Sequence, residues 1–311
     1  MGAGHSHGPA DAHGAGRADG HAAGRFRSRL ATAFALTAAF LAIELTVGLV
    51  SGSLALISDA GHMAADVVAL GASLLATGIA TRPDRSGRRT YGSYRAEVFA
   101  SGLTVLIMVA VGAYVVVEAV GRVGRPAPDA STPMLLVGLL GLAVNVACLL
   151  VLRPGSQRSL NLRGAYVEVA ADAAGSVGVI VAGLLMALTG QAVWDVVVAL
   201  AIAVFVLVRA GSLGRQVLAV LGQHAPAGID PEAVAASLDG IAGVEQVHDL
   251  HVWALTSGMN VATAHLVATA QADHHDVLDQ ARDLLRVEFG IVHATVQVEP
   301  LDHHGCQDLT W

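Results

Sequence analysis

Two pairs of metal-type side chains, His62 with Asp66 and Glu168 with Asp172, lie inside apolar stretches of this chain, each pair spaced i and i+4. On a helix of about 3.6 residues per turn, that spacing stacks both members of a pair on one face. At the centre of a membrane helix a charged group costs roughly 2.5 to 3.5 kcal/mol on insertion scales, so four such groups call for a compensating partner, and a divalent cation is the simplest. One nitrogen with three carboxylates suits tetrahedral Zn²⁺, with bonds of about 2.0 to 2.2 Å, better than it suits Mg²⁺ or Ca²⁺, which prefer oxygen-only sets. Three oxygens also make a hard site, which keeps Co²⁺, Cd²⁺, Ni²⁺ and Mn²⁺ within reach. Crowded carboxylates hold protons while such a site is empty and release them as metal enters. The plainer reading of any single member is a carboxylate or imidazole bonded to a neighbouring helix.

The elements that must position these groups follow from composition and hydropathy. Of 311 residues, 54% are apolar and 14% charged, and the mean hydropathy is +0.60. That is too apolar for one soluble core. Six apolar segments, at about 30–50, 54–80, 97–120, 132–152, 164–187 and 191–209, each approach the ~20 residues that a spanning helix needs. All 18 basic residues are arginine. They cluster before the first segment (Arg17, Arg25, Arg27, Arg29), between the second and third (Arg82, Arg85, Arg88, Arg89, Arg95) and between the fourth and fifth (Arg153, Arg158, Arg163). Only Arg122 and Arg125 fall on the opposite side, so the positive-inside rule places both termini in the cytoplasm. With that topology and ~1.5 Å of rise per residue, Asp66 and Asp172 both fall ~9 to 12 Å from the cytoplasmic edge of a ~30 Å core. Small residues nearby, Gly61, Gly164, Gly175, Ser176 and Gly178, allow the two helices a close approach.

Residues 1–29 are rich in His, Gly and Ala, lack the apolar core of a signal peptide, and are expected to form a disordered cytoplasmic tail with His5, His7, His13 and His21 as loose metal captors. Residues 30–211 form the predicted transmembrane domain. From 212 to 300 the pattern turns soluble: a helix over 230–240 with Asp230 as its cap before Pro231, strands over 244–255 and 259–269, a helix over 274–289 and a strand over 293–299. That α-β-β-α-β order fits a small ferredoxin-like fold. Its candidate ligands are His248, His265, His275 and Glu299; two imidazoles on adjacent strands can converge. Residues 301–311 are a tail in which Cys306 is a possible soft ligand. Two cysteines, Cys148 and Cys306, are too few for a disulfide scaffold. The net charge of −7 argues against nucleic acid. Glu44 and Asn145 are expected to bond helix neighbours, Asp59 to orient the site, Asp195 and Trp194 to lie at a membrane boundary, and Arg95 with Glu97 to form a charge contact.

Residues 53–63 (SLALISDAGHM), 91–97 (YGSYRAE), 161–166 (NLRGAY), 175–178 (GSVG) and 247–253 (VHDLHVW) resemble the signatures of the cation diffusion facilitator family, in particular its zinc, cobalt and cadmium resistance branch. The resemblance covers nearly everything after residue 29. It implies an α-helical membrane protein of six transmembrane helices followed by a small cytoplasmic α+β domain, and a homodimeric transporter exchanging cytoplasmic divalent metal for protons. It places His62, Asp66 and Asp172 on family ligand positions. Glu168 stands where many zinc-transporting relatives have His and similar bacterial resistance proteins have Glu. A cytoplasmic metal site from His248, His265 and Glu299, with His275 and groups across a dimer interface as further contributors, is also implied. A second family site between spans two and three has no counterpart, since residues 81–90 offer Asp84 and no histidine, and the arginines there are expected to face lipid phosphates.

The expectation is therefore a proton-coupled exporter of Zn²⁺, with Cd²⁺ and Co²⁺, in the bacterial inner membrane. Zn²⁺ would serve both as the transported ion and as a regulatory ligand. No organic cofactor is called for, and no separate acid-base residue or open hydrolytic motif suggests an enzyme. The alternative is a membrane-anchored metal sensor or scaffold without transport.

Overall fold

The computed structural model describes residues 16–80, 88–122, 130–156, 160–256 and 258–302. Six long helices come first: α1 (Gly16–Ser51), α2 (Leu54–Ala80), α3 (Arg95–Arg122), α4 (Ser131–Ser156), α5 (Leu160–Thr189) and α6 (Val193–Leu221). Among the described residues, Ala31–Ser51, Arg95–Arg122, Ser131–Arg153, Tyr166–Thr189 and Val193–Leu221 are each long and apolar enough to cross a membrane. The 27-residue α2 completes the six helices read from the sequence.

Two boundaries differ from expectation. The first helix already runs at Gly16, so residues 16–29, expected as tail, are helical; His5, His7 and His13 lie outside the described residues. Alanine and arginine there are strong helix formers that extend a helix once its apolar part is anchored. At the other end, α6 continues to Leu221, beyond the expected boundary at 211, running through Gly211 and Gly214 to end just before Gly222.

The chain divides into two compact units, residues 1–70 with 107–208, and residues 71–106 with 209–311. The first unit is helical, with α1 packed on α4 and α4 on α5. Its core holds Phe40, Leu54, Leu56, Met63, Met134 and Val179. Leu49, Val117, Leu136 and Leu188 remain exposed, as suits side chains facing hydrocarbon. The start of α2 is tied to α6: Asp195, buried in the first turn of α6, accepts from Ser53 Oγ at 2.7 Å, from the Leu54 amide at 2.8 Å and from the Ala55 amide at 3.0 Å. Ser53 Oγ also accepts from the Leu56 amide. A carboxylate thus satisfies amides that a helix start leaves without intrahelical partners, and sits where the helix dipole favours negative charge.

The second unit contains α7 (Pro231–Asp239), β1 (Val244–Thr256), β2 (Met259–Ala268), α8 (His274–Glu288) and β3 (His293–Pro300). Asp230 caps α7 by accepting from the Glu232 amide, and Pro231 occupies the first turn. The sheet order is β1-β2-β3, with β1 and β2 antiparallel and β2 and β3 parallel through the α8 crossover. Apolar faces of both helices and the sheet close a core of Val234, Leu238, Ala262, Leu266, Val277 and Leu285.

Candidate metal centres

Inside the helical unit, ligand-type atoms of His62, Asp66 and Asp172 all lie within 4.8 Å of one another. All three residues are buried. His62 Nδ1 stands 3.7 Å from Asp66 Oδ2, and His62 Nε2 stands 3.3 Å from Asp172 Oδ1. The i to i+4 spacing on α2 sets the first separation, and the packing of α5 supplies the second. Two ligands on a tetrahedral ion with bonds of 2.0 to 2.2 Å are separated by roughly 3.3 to 3.6 Å, so the spacing is that of a ligand set. The imidazole itself bridges the two carboxylates. Phe205 of α6 meets its ring edge-on, with centroids 5.9 Å apart and planes at 88°.

Glu168 is not part of this group. It is half-buried on α5, one turn from Asp172, and four residues of helix put its Cα about 6 Å along the axis. Asp59, expected to orient the site, lies against α5: a Cβ at Gly175 would come within 3.1 Å of its Oδ1. Asn145 donates to Ser176 Oγ at 3.3 Å, as a helix-neighbour bond.

A second group forms on the sheet from His248, His265 and Glu299. The register brings His248 opposite His265 and Glu299 opposite Val267. Glu299 is fully buried; its Oε1 lies 2.8 Å from His265 Nδ1, and its Oε2 lies 3.6 Å from His248 Nε2. Gln297 donates to Oε1 at 2.8 Å. Both ring nitrogens of His248 are buried with no hydrogen-bond partner among the described residues. Two imidazoles and a carboxylate with an orphaned buried nitrogen fit a borderline metal such as Zn²⁺.

His275, also expected here, is exposed in the first turn of α8; its amide is held by the Asp273 cap at 2.8 Å, which fixes the residue at the helix start and outside the strand cluster. Asp249 was missed by sequence reasoning. It sits at φ 50° in a bulge between His248 and His251, where its Oδ2 lies 3.8 Å from His265 Nε2 and its Oδ1 lies 3.0 Å from His251 Nε2. A carboxylate against the far nitrogen of a ligand histidine fixes the ring orientation. The run VHDLH contains no glycine to mark the turn, although aspartate tolerates this conformation. Glu97, expected with Arg95 in an inter-helix or inter-subunit charge contact, accepts from Thr256 Oγ1 at 2.8 Å. The Asp302–Cys306 motif falls mostly outside the described residues, as does Asp84.

Long apolar helices that bury a cation-ligand set, followed by an α+β domain with a second set, define a membrane transporter of metal ions. Residues 30–221 match the cation efflux transmembrane domain, and residues 226–301 match the cytoplasmic domain of cation efflux proteins. The chain belongs to the cation efflux family. Its members are divalent metal transporters, not enzymes. The chain is 40% identical to the metal cation efflux system protein CzcD of Cupriavidus metallidurans over 300 residues, covering 96% of this chain and 90% of that protein. It is 34% identical to the zinc transporter ZitB of Escherichia coli, over 89% and 88% of the two chains. It is 31% identical to a cadmium, cobalt and zinc/H(+)-K(+) antiporter of Bacillus subtilis, over 88% and 89%. A solved metal-bound C-terminal domain of the Cupriavidus CzcD transporter is 36% identical, covering 23% of this chain and 99% of that chain, with a TM-score of 0.22.

Proposed function

We propose that this chain exports Zn²⁺, and with it Cd²⁺ and Co²⁺, in exchange for protons, by alternating access of the site formed by His62, Asp66 and Asp172, with Glu168, one turn from Asp172, as its fourth ligand. The observation that carries this reading is the burial of one imidazole and two carboxylates, from α2 and α5, within 4.8 Å of one another. Ligands must be deprotonated to hold a metal ion, so metal binding at this site is coupled to proton release. The names of the relatives, which include zinc, cadmium, cobalt and H(+), support the ion set and the coupling. The cytoplasmic cluster of His248, His265 and Glu299 binds the same ion as a regulatory ligand, and the chain pairs with a second copy through that domain. Arginine placement supports an inner-membrane protein with both termini in the cytoplasm.

The test is metal uptake into everted or reconstituted vesicles under an imposed pH gradient, for Zn²⁺, Cd²⁺, Co²⁺ and Mn²⁺. Asp172→Ala is expected to abolish gradient-driven uptake, and Glu168→His to narrow the range of ions. An intact protein that binds metal in its cytoplasmic domain but moves none would replace the transporter with a membrane-anchored sensor.

A further inference from the structure

Beside the start of α3, the second unit encloses a cavity of about 550 Å³, inside the ~300 to 1,000 Å³ range of small-molecule sites. Its chemistry is one-sided. Arg88, Arg89 and Arg95 line it together with Tyr91, Tyr94 and Trp253, and no carboxylate occurs among the described lining residues. Arg89 is steadied by donating from Nη1 to Ser93 Oγ at 3.0 Å. Guanidinium groups match phosphate oxygens with paired donors. Tyrosine and tryptophan are the side chains that favour the level of lipid headgroups.

Position adds a second argument. Arg95 is the first residue of a helix apolar enough to span the membrane, so the cavity opens where a span meets water. Phe99, which also lines the cavity, begins an exposed apolar track along α3 with Leu103 and Leu106, exposed by 64%, 52% and 67%. These three are spaced i, i+4 and i+7, which is one helix face. A soluble phosphate would fill the basic end and leave the track bare. A molecule with a phosphate at one end and hydrocarbon at the other uses both.

We propose that this cavity holds the headgroup phosphate of an anionic phospholipid, with its acyl chains laid along Phe99, Leu103 and Leu106. Trp253 and Leu255 of β1 line the same cavity, and Thr256 of that strand donates to Glu97. A bound lipid therefore touches both the start of α3 and the strand that carries His248.

The experiment is native mass spectrometry of the full-length detergent-purified transporter, titrated with phosphatidylglycerol or phosphatidylcholine. The unmodified protein is expected to retain phosphatidylglycerol in preference. At about 1 kcal/mol per basic residue near an anionic headgroup, Arg89→Gln with Arg95→Gln should weaken that binding roughly 30-fold. Equal retention of the two lipids by the unmodified protein overturns the proposal without reference to any variant. So does unchanged affinity in a double variant that elutes as the folded transporter. Displacement of the lipid by millimolar glycerol phosphate would assign the cavity to a soluble phosphate. Loss of dimer in Phe99→Ser, with no lipid preference in the parent, would assign the α3 face to contact between copies of this chain.

Discussion

The close approach of α2 to α3 beside the proposed transport site makes a demanding prediction. Gly61 precedes His62, and a Cβ placed on it would overlap the Cγ1 methyl of Val111 while lying 3.1 Å from Val111 Cβ and 3.2 Å from its Cγ2. Valine has a single side-chain torsion, and rotating it exchanges one obstructing methyl for the other. The helices must then separate. Overpacking of this kind costs about 1 to 3 kcal/mol, which exceeds or cancels the roughly 1 kcal/mol by which alanine is the better helix former. His62 is carried along, and a misplacement on the order of 1 Å at a working site lowers rates about a hundredfold. Gly61→Ala should therefore slow gradient-driven metal uptake by tenfold or more and lower the unfolding temperature in detergent. Gly61→Ala with Val111→Ala should recover much of both, giving a coupling energy of about 1 kcal/mol or more in a double-mutant cycle. Parental uptake by Gly61→Ala, or a double variant no better than the single, would refute the idea that this contact sets the position of His62.

Removing the Asp195 carboxylate strands a hydroxyl and two amides in a buried place. At about 1 to 3 kcal/mol for a buried group left without its partner, Asp195→Ala should cost about 3 kcal/mol or more of stability, read by chemical or thermal unfolding in detergent; a change under about 1 kcal/mol would show that the contacts are replaceable. In the cytoplasmic domain, Glu299→Gln should weaken Zn²⁺ binding at that site by at least the 10- to 100-fold typical of supporting groups. Competition with a chromophoric chelator on the full-length protein reads this directly, and an unchanged dissociation constant would remove Glu299 from the ligand set.

Long periodic features were legible in the sequence, and features that depend on side-chain reach were not. Six apolar runs of spanning length gave six helices, because in hydrocarbon a continuous helix satisfies its own backbone. The cap at Asp230 with Pro231, and the alternation over 244–269, carried the order α7-β1-β2-α8-β3 on local chemistry alone. Placing His62, Asp66 and Asp172 in one group required only helix spacing and an antiparallel partner. Glu168 stands outside that group, and its spacing from Asp172, the same as that of His62 from Asp66, does not tell which of two such pairs converges. His275, beside the cap at Asp273, stands at a helix start rather than on the sheet, outside the group that this chain forms by itself. Asp195 looked like a boundary residue because nothing in its neighbourhood shows that the start of α2, more than a hundred residues earlier, will bring three donors to it. The reversal at Asp249 was hidden because its left-handed backbone is imposed by a bulge against β2.

The bond between Asp195 and the start of α2 also decides how α2 can move. A rod fixed at one end turns about that end, and each point travels in proportion to its distance from the pivot. His62 and Asp66 lie about 12 and 18 Å from Leu54 at ~1.5 Å per residue. A tilt of roughly 10° would therefore shift them by only about 2 to 3 Å, by the same helix rise. Such a stroke is enough to break a metal–ligand bond of about 2 Å without taking the helix out of its packing. The hinge of this lever is a hydrogen-bonded carboxylate, and its short arm carries the two ligand-type side chains of α2.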